Sequence, residues 1–252
     1  MIDIYPRPLN LNKSFSPTTD TSAVEIKFPI SVKAVMVDLD GTLLDTAGDL
    51  AAAANMMLRE LGKAELPLET IKSYIGKGIQ KLVKRSLTGT LDGEPDADLL
   101  DKAMPLYERN YAKTLCMSTR PYPGVLEGLN ILREGAFQLA CVTNKAEAFT
   151  TPLLRATGLL DFFDIVLAGD SLPRKKPDPM PLLHACTHFG IQPSEMLLIG
   201  DSLNDAQAAR AAGCCVFCVP YGYNEGRDVR ELDCDAIVPS LFEATRLIQK
   251  LS

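Results

Sequence analysis

From about residue 120 onward, short apolar runs alternate with amphipathic stretches, and few architectures accept that order. The runs fall at 137–142, 165–168, 196–199, 214–219 and 236–238, and the stretches between and after them lie at 125–133, 146–156, 180–189, 206–212 and 241–251. The runs are short enough for strands, while the stretches space apolar residues every three or four positions, as helices do. Gly135, Gly158, Gly190 and Gly213 each stand where a helix would end. Strands alternating with helices of this length imply right-handed crossovers and a parallel sheet covered on both faces.

A further apolar run, Ala34-Val35-Met36-Val37, precedes this region and ends in Asp38-Leu39-Asp40-Gly41-Thr42. It is separated from the rest by residues 47–117, which read as helices at 47–61, 67–75, 79–87 and 96–115, with no convincing strand. Pro105 falls inside the last helix, where it should kink or restart it. The fold class is therefore α/β: a Rossmann-like parallel sheet core with helices on both faces, carrying an all-α cap domain inserted after the first core strand. The expected boundaries are an irregular arm at 1–30, core at 31–46 and 118–252, and cap at 47–117. The arm has one short extended piece at 24–28 and no recognisable chemistry.

Ligands of such sheets bind beyond the C-terminal ends of the strands, and the polar residues gather there. Asp38 and Asp40 are two apart and share a face of the strand. Two ionised carboxylates side by side need a cation, and Mg²⁺ suits such oxygen ligands. Thr143-Asn144-Lys145 ends a second strand, Gly200-Asp201-Ser202 a third, and Lys175-Lys176-Pro177 follows a fourth. Thr143 serves either a phosphate or a helix N-cap. Asp201 can complete a metal site with Asp38, and Asp205 is either a further ligand or a helix-turn residue.

Composition narrows the partners. The 252 residues are 46% hydrophobic with a formal charge of −6, and no Lys/Arg cluster marks a nucleic-acid face. No apolar run approaches a membrane span and no signal core opens the chain, so the expectation is a cytoplasmic protein without membrane contact. The seven cysteines lie mostly in apolar runs, as reduced buried thiols do. The run 214–219 would point Cys214 and Cys218 one way and Cys215 the other, an unpromising zinc knuckle. His184 and His188 read as helix-surface residues.

In order and spacing, Asp38-Leu39-Asp40, Thr143-Asn144, Lys176-Pro177-Asp178-Pro179 and Gly200-Asp201-Ser202-Leu203-Asn204-Asp205 resemble the four motifs of the haloacid-dehalogenase-like hydrolases. The resemblance runs from about residue 32 to the C-terminus, and the insert matches that superfamily's small helical cap. It implies that Asp38 attacks phosphorus, Asp40 acts as acid and base, and Mg²⁺ is held by Asp38, the Asp40 carbonyl and Asp201. It also implies that Gly41, Thr143, Asn144 and Lys176 meet the phosphate or substrate, with Ser202 and Asp205 supporting or extending the metal site.

Tyr74-Ile75-Gly76-Lys77-Gly78 and the loop 220–228 look like bacterial phosphoglycolate phosphatases, which makes 2-phosphoglycolate the expected small phosphorylated metabolite. Lys77 either meets its carboxylate or is a turn lysine in solvent. A sugar-phosphate or amino-sugar-phosphate phosphatase would keep the same core. A small-cap phosphomutase would need a second basic phosphate cradle, and none is visible. A non-catalytic phosphate-ligand-binding protein would most simply have lost Asp38, Asp40 or Lys176. Oligomeric state is not legible.

Overall fold

A computed structural model describes residues 27–251. Six parallel strands form its sheet, in the order β6-β5-β2-β7-β8-β9. After β1 (Ile30–Val32) come β2 (Ala34–Val37) and the short β3 (Leu44–Asp45). The cap helices are α1 (Ala47–Glu60), α2 (Leu68–Lys72), α3 (Ile79–Thr88) and α4 (Ala97–Thr114). The chain returns through β4 (Arg120–Pro121), antiparallel to β3, and α5 (Val125–Glu134). It continues as β5 (Gln138–Val142), α6 (Glu147–Ala156), β6 (Ile165–Leu167), α7 (Met180–Phe189), β7 (Met196–Gly200) and α8 (Leu203–Ala212). It closes with β8 (Cys215–Cys218), β9 (Ala236–Ile237), α9 (Leu241–Thr245) and β10 (Ile248–Lys250).

Alternation along the strands divides the core in two. Val35, Val37, Leu139, Cys141, Leu197 and Ile199 face one apolar layer with α5, α6 and α9; Ala34, Met36, Ala140, Val142, Met196 and Leu198 face the other with α7 and α8. Both layers are made of buried apolar side chains, so apart from Gln138 at the start of β5 the strands of the sheet are apolar, and the polar side chains of the site follow their C-terminal ends. Because β2 pairs with both β5 and β7, Asp38 leaves the middle of the sheet. Cys214 and Cys218 join one layer and Cys215 packs against the other, as the alternation requires. All seven cysteines are free thiols, and His184 and His188 are exposed on α7.

The cap has an apolar centre of its own, including Leu50, Met57, Leu58, Ile71, Val83, Tyr107 and Tyr111. Asp49 anchors its first helix to the returning linker by accepting from the backbone N–H and hydroxyl of both Ser118 and Thr119, at 2.6–3.1 Å.

Several elements differ from the sequence-based expectation. The predicted C-terminal helix at 241–251 is a five-residue helix followed by β10, which pairs in parallel with β1. Ile248 is buried while Gln249 and Lys250 are exposed, and the strand forms because β1 supplies a partner from the other end of the chain. β1 begins at Ile30, across the expected boundary between arm and core. The extended piece expected at 24–28 lies largely outside the described residues. Pro105 does not restart α4, which runs unbroken through it. The helix expected at 67–75 stops at Lys72, and α8 begins at Leu203 rather than 206, capped by Ser202 with Asp205 in its first turn.

Candidate active site

The ends of β2, β5 and β7 and the loop before α7 bring four charged groups together. The N–H of Asp38 donates to the Ile199 carbonyl at 2.9 Å, which carries the sheet register one residue past β2 and fixes where its carboxylate emerges. Lys176 Nζ donates to Asp38 Oδ1 at 2.8 Å, to Asp205 Oδ1 at 2.7 Å and to the Val142 carbonyl at 2.5 Å. An ammonium has three donors, and all three are placed. Burial alone would depress the Lys176 ammonium, but Asp205 and Asp38 override it and hold it above its ordinary range.

Asp205 Oδ2 in turn accepts from the Ser202 N–H and hydroxyl, at 3.1 and 2.6 Å. Asp201 accepts from the Thr42 hydroxyl at 3.0 Å and from the Tyr223 N–H. A Cβ on Gly41, at φ +90°, would collide with that carboxylate, so glycine there admits Asp201 to the site.

Carboxylate oxygens of Asp38, Asp201 and Asp205 lie within 4.8 Å of one another. One lysine faces three buried carboxylates. Burial pushes Asp38 up to about 7, with Asp205 adding to the rise and Lys176 opposing it. Burial, then the charges of Asp38 and Asp205, drive Asp201 well above the usual carboxylate range. A hard divalent cation fits this donor set, since its charge would relieve both the crowding and the desolvation. The expected set is Asp38, the Asp40 backbone carbonyl and Asp201, with Asp205 open as a further ligand; the side chains brought together are those of Asp38, Asp201 and Asp205.

The Asp40 carboxylate instead accepts from Lys145 Nζ at 2.9 and 3.0 Å. Lys145 is only 3% exposed, and its ammonium lies 4.9 Å from the centroid of the Tyr111 ring. It was not among the nominated site residues. The available signal was only its place in Thr143-Asn144-Lys145, three residues past the end of β5, on the edge where the other polar residues gather.

The other nominated residues divide. Thr143 lines the cavity, and its hydroxyl accepts from the Lys145 N–H at 3.2 Å, a local turn contact that leaves its own proton unassigned. Asn144 donates to the carbonyls of Gly76 and Lys176, at 3.0 and 2.9 Å, so it bridges cap and core. Its buried Oδ1 has no partner. Ser202 lines the same cavity.

Lys77 does not line it: its ammonium pairs with Glu225 at 3.0 Å. Glu225 also takes Arg85 at 2.5 Å, so one core carboxylate holds two cap cations. The rest of that loop is structural. Tyr223 Oη accepts from the N–H groups of Thr46 and Ala47 at 2.9 and 3.0 Å, where the cap begins. Tyr221 donates to the Thr42 carbonyl at 3.0 Å.

Between sheet and cap these residues enclose a cavity of about 30 Å³. Asp38, Asp40, Thr143, Lys145 and Lys176 line its floor, and Leu50, Ile75, Ile79 and Leu82 its roof. The Asp38, Asp40 and Asp205 carboxylates and the buried Lys145 and Lys176 thus converge on one cleft between sheet and cap. Among the described residues, no helix is long and apolar enough to cross a membrane.

Comparison with known proteins agrees with this geometry. A curated phosphoglycolate phosphatase of Nitrosospira multiformis is 81% identical over 225 residues, 89% of this chain and 99% of the relative. One from Thiobacillus denitrificans is 58% identical over 223 residues, 88% of this chain and 98% of its own length. A crystal structure from Haemophilus somnus, described as a "predicted phosphoglycolate phosphatase", superposes with a TM-score of 0.81 at 33% identity, covering 85% of this chain and 96% of that one. The family model described as haloacid dehalogenase-like hydrolase matches residues 35–219. The chain belongs to the haloacid dehalogenase-like hydrolase family.

Proposed function

We propose that this protein is a Mg²⁺-dependent phosphatase that converts 2-phosphoglycolate to glycolate and inorganic phosphate through an aspartyl-phosphate intermediate. The observation that carries the reading is Asp38 held against the triply bonded Lys176, with Asp40 two residues on and a cluster of carboxylates beside it. The names of the 81% and 58% identical relatives support the substrate.

In this reading Asp38 Oδ attacks phosphorus in line and the ester oxygen leaves with a proton from Asp40. Asp40 then takes a proton from the water that hydrolyses the aspartyl phosphate. Lys176 orients Asp38, and its positive charge acts through space, beside the Thr143 hydroxyl, against the charge on the transferring phosphoryl group. Asp38, Asp201 and the Asp40 backbone carbonyl would hold Mg²⁺, which supplies positive charge against the repulsion between carboxylate and phosphate. Asp205, already committed to Lys176 and Ser202, chiefly fixes the positions of its neighbours.

The cap, residues 47–117 in this reading, closes on a core made of 31–46 and 118–252. The site lies in the cleft between cap and core, and in this reading the cap moves to admit substrate and closes over it to exclude bulk water. Seven free thiols accord with a cytoplasmic setting.

Phosphate release with Mg²⁺ over a panel of 2-phosphoglycolate, several sugar phosphates, an amino-sugar phosphate and a nucleotide tests the substrate. The expected result is a kcat/KM for 2-phosphoglycolate about tenfold or more above every other member. A different leader would retain the chemistry and overturn the substrate.

A further inference from the structure

We infer that Lys145 receives the carboxylate of the substrate, and so sets the selectivity of the site for a phosphate ester with a second anion. The inference rests on the reading of 2-phosphoglycolate as substrate and names the residue that would recognise it. A carboxylate moved from water into a cavity roofed by Leu50, Ile75, Ile79 and Leu82 is strongly unfavourable unless a cation meets it. Lys145 and Lys176 are the lysines that line the cavity, and no arginine lines it.

Lys176 has no donor to spare, since Asp38, Asp205 and the Val142 carbonyl take all three. Lys145 has two hydrogen bonds, both to Asp40, and the third donor direction of its ammonium carries no acceptor. The Tyr111 ring face, 4.9 Å away, supports the ammonium without using a hydrogen bond.

The other nearby cations lie outside the lining, Lys175 among them, its ammonium donating to the Lys77 carbonyl at 3.2 Å. Lys77 is paired with Glu225 outside the lining. Arg85 is fully buried against Glu225 and the carbonyls of Tyr74 and Leu91.

The connectivity of the substrate adds a second constraint. In a phosphate ester of glycolate, one methylene separates the ester oxygen from the carboxylate. The group that protonates that oxygen and the group that binds the carboxylate must therefore be neighbours. Asp40 and Lys145 are already in contact, so an ester oxygen placed at Asp40 puts its carboxylate within reach of the free donor on Lys145.

The test measures kcat/KM for 2-phosphoglycolate and for 2-hydroxyethyl phosphate, in which a neutral hydroxymethyl group replaces the carboxylate. The enzymes are wild type, Lys145→Met and Lys145→Arg. Wild type is expected to prefer 2-phosphoglycolate by on the order of 100-fold. Lys145→Met is expected to bring that ratio within about threefold of unity, chiefly through KM for 2-phosphoglycolate, while Lys145→Arg keeps most of the preference.

Any loss common to both substrates reports the hold of Lys145 on Asp40 and cancels in the ratio. Lys145→Gln carries the same expectation and replaces the Met variant if that one does not fold. A neutral variant that keeps the wild-type ratio, however slow, overturns the assignment. A wild type without the preference overturns the substrate reading, and the assignment with it.

Discussion

On the sheet side of the cavity the functional side chains are charges held by other charges, whereas on the cap side Leu50, Ile75, Ile79 and Leu82 present hydrocarbon. The floor is rigid because each of its groups emerges from a strand end buried in a dry sheet or from the loops those ends support. Lys176 reaches Asp38 and Asp205 from a different loop, and the geometry holds because neither lysine nor carboxylates can retreat into water. The cap instead touches the core through ties to its loops and its root: Asn144 and Asn204 to Gly76, Lys175 to the Lys77 carbonyl, Glu225 to Arg85 and Lys77, Tyr223 to the start of α1, and Asp49 to Ser118 and Thr119. Such a division suits the proposed cycle, in which the floor is fixed and the cap moves. It also predicts that substitutions in the two regions will fail differently.

The largest effect is expected on the floor. Asp38→Asn should lower kcat on the order of 10⁴-fold or more for every phosphate ester turned over, because it removes the nucleophile rather than a contact to one substrate. A loss confined to one ester would break the division.

An intermediate effect is expected at the root of the cap. Asp49→Asn replaces a carboxylate that accepts four hydrogen bonds from Ser118 and Thr119, and should cost about 1–3 kcal/mol in denaturant unfolding near neutral pH. Burial raises the Asp49 carboxyl, yet these four bonds outweigh it and hold its pKa below the ordinary 3.8. A depressed carboxyl contributes stability above its unfolded pKa and loses it as pH falls through the folded one. The gap between wild type and variant should therefore shrink below pH 3.8. A gap that persists or widens there would mean that Asp49 acts by packing alone.

The smallest effect is expected at Lys77. Its ammonium is spent on Glu225, with a side chain 39% exposed, so Lys77→Ala should change kcat/KM for 2-phosphoglycolate by no more than about threefold, as the modest worth of an exposed pair implies. A loss of about a hundredfold in KM would restore Lys77 as the carboxylate receptor and displace Lys145.

What could be read from the sequence follows the same division. Asp38, Asp40, Thr143, Lys176 and Asp201 stand where an apolar run stops or a proline-stiffened loop follows one, and such local signals survive without coordinates. The succession of strands and helices and the all-helical insert were legible for the same reason, since each strand and helix is written in its own period, whereas the order of strands in the sheet carries no such local mark. Lys145 was not, because a lysine at the end of a strand reads as a solvated charge until Asp40 and Tyr111 are seen to enclose it. Lys77 stayed open between ligand contact and turn lysine for the converse reason: glycines flank it in sequence, while Glu225, with which it pairs, lies in the loop after β8. β10 likewise depends on β1 from the opposite end of the chain. The misses are pairings distant in sequence, and the local period carries no trace of them.

The central claim is that Asp38 becomes covalently phosphorylated, and chemical trapping tests it most directly. The enzyme is mixed with Mg²⁺ and excess 2-phosphoglycolate, quenched within a turnover, treated with borohydride and digested for mass spectrometry. An aspartyl phosphate is reduced to homoserine, so the account predicts homoserine at residue 38, none at Asp40 or Asp201, and none when substrate is omitted. Homoserine at Asp40 or Asp201, or an unreduced Asp38 during steady turnover with no modified carboxylate elsewhere, would contradict it.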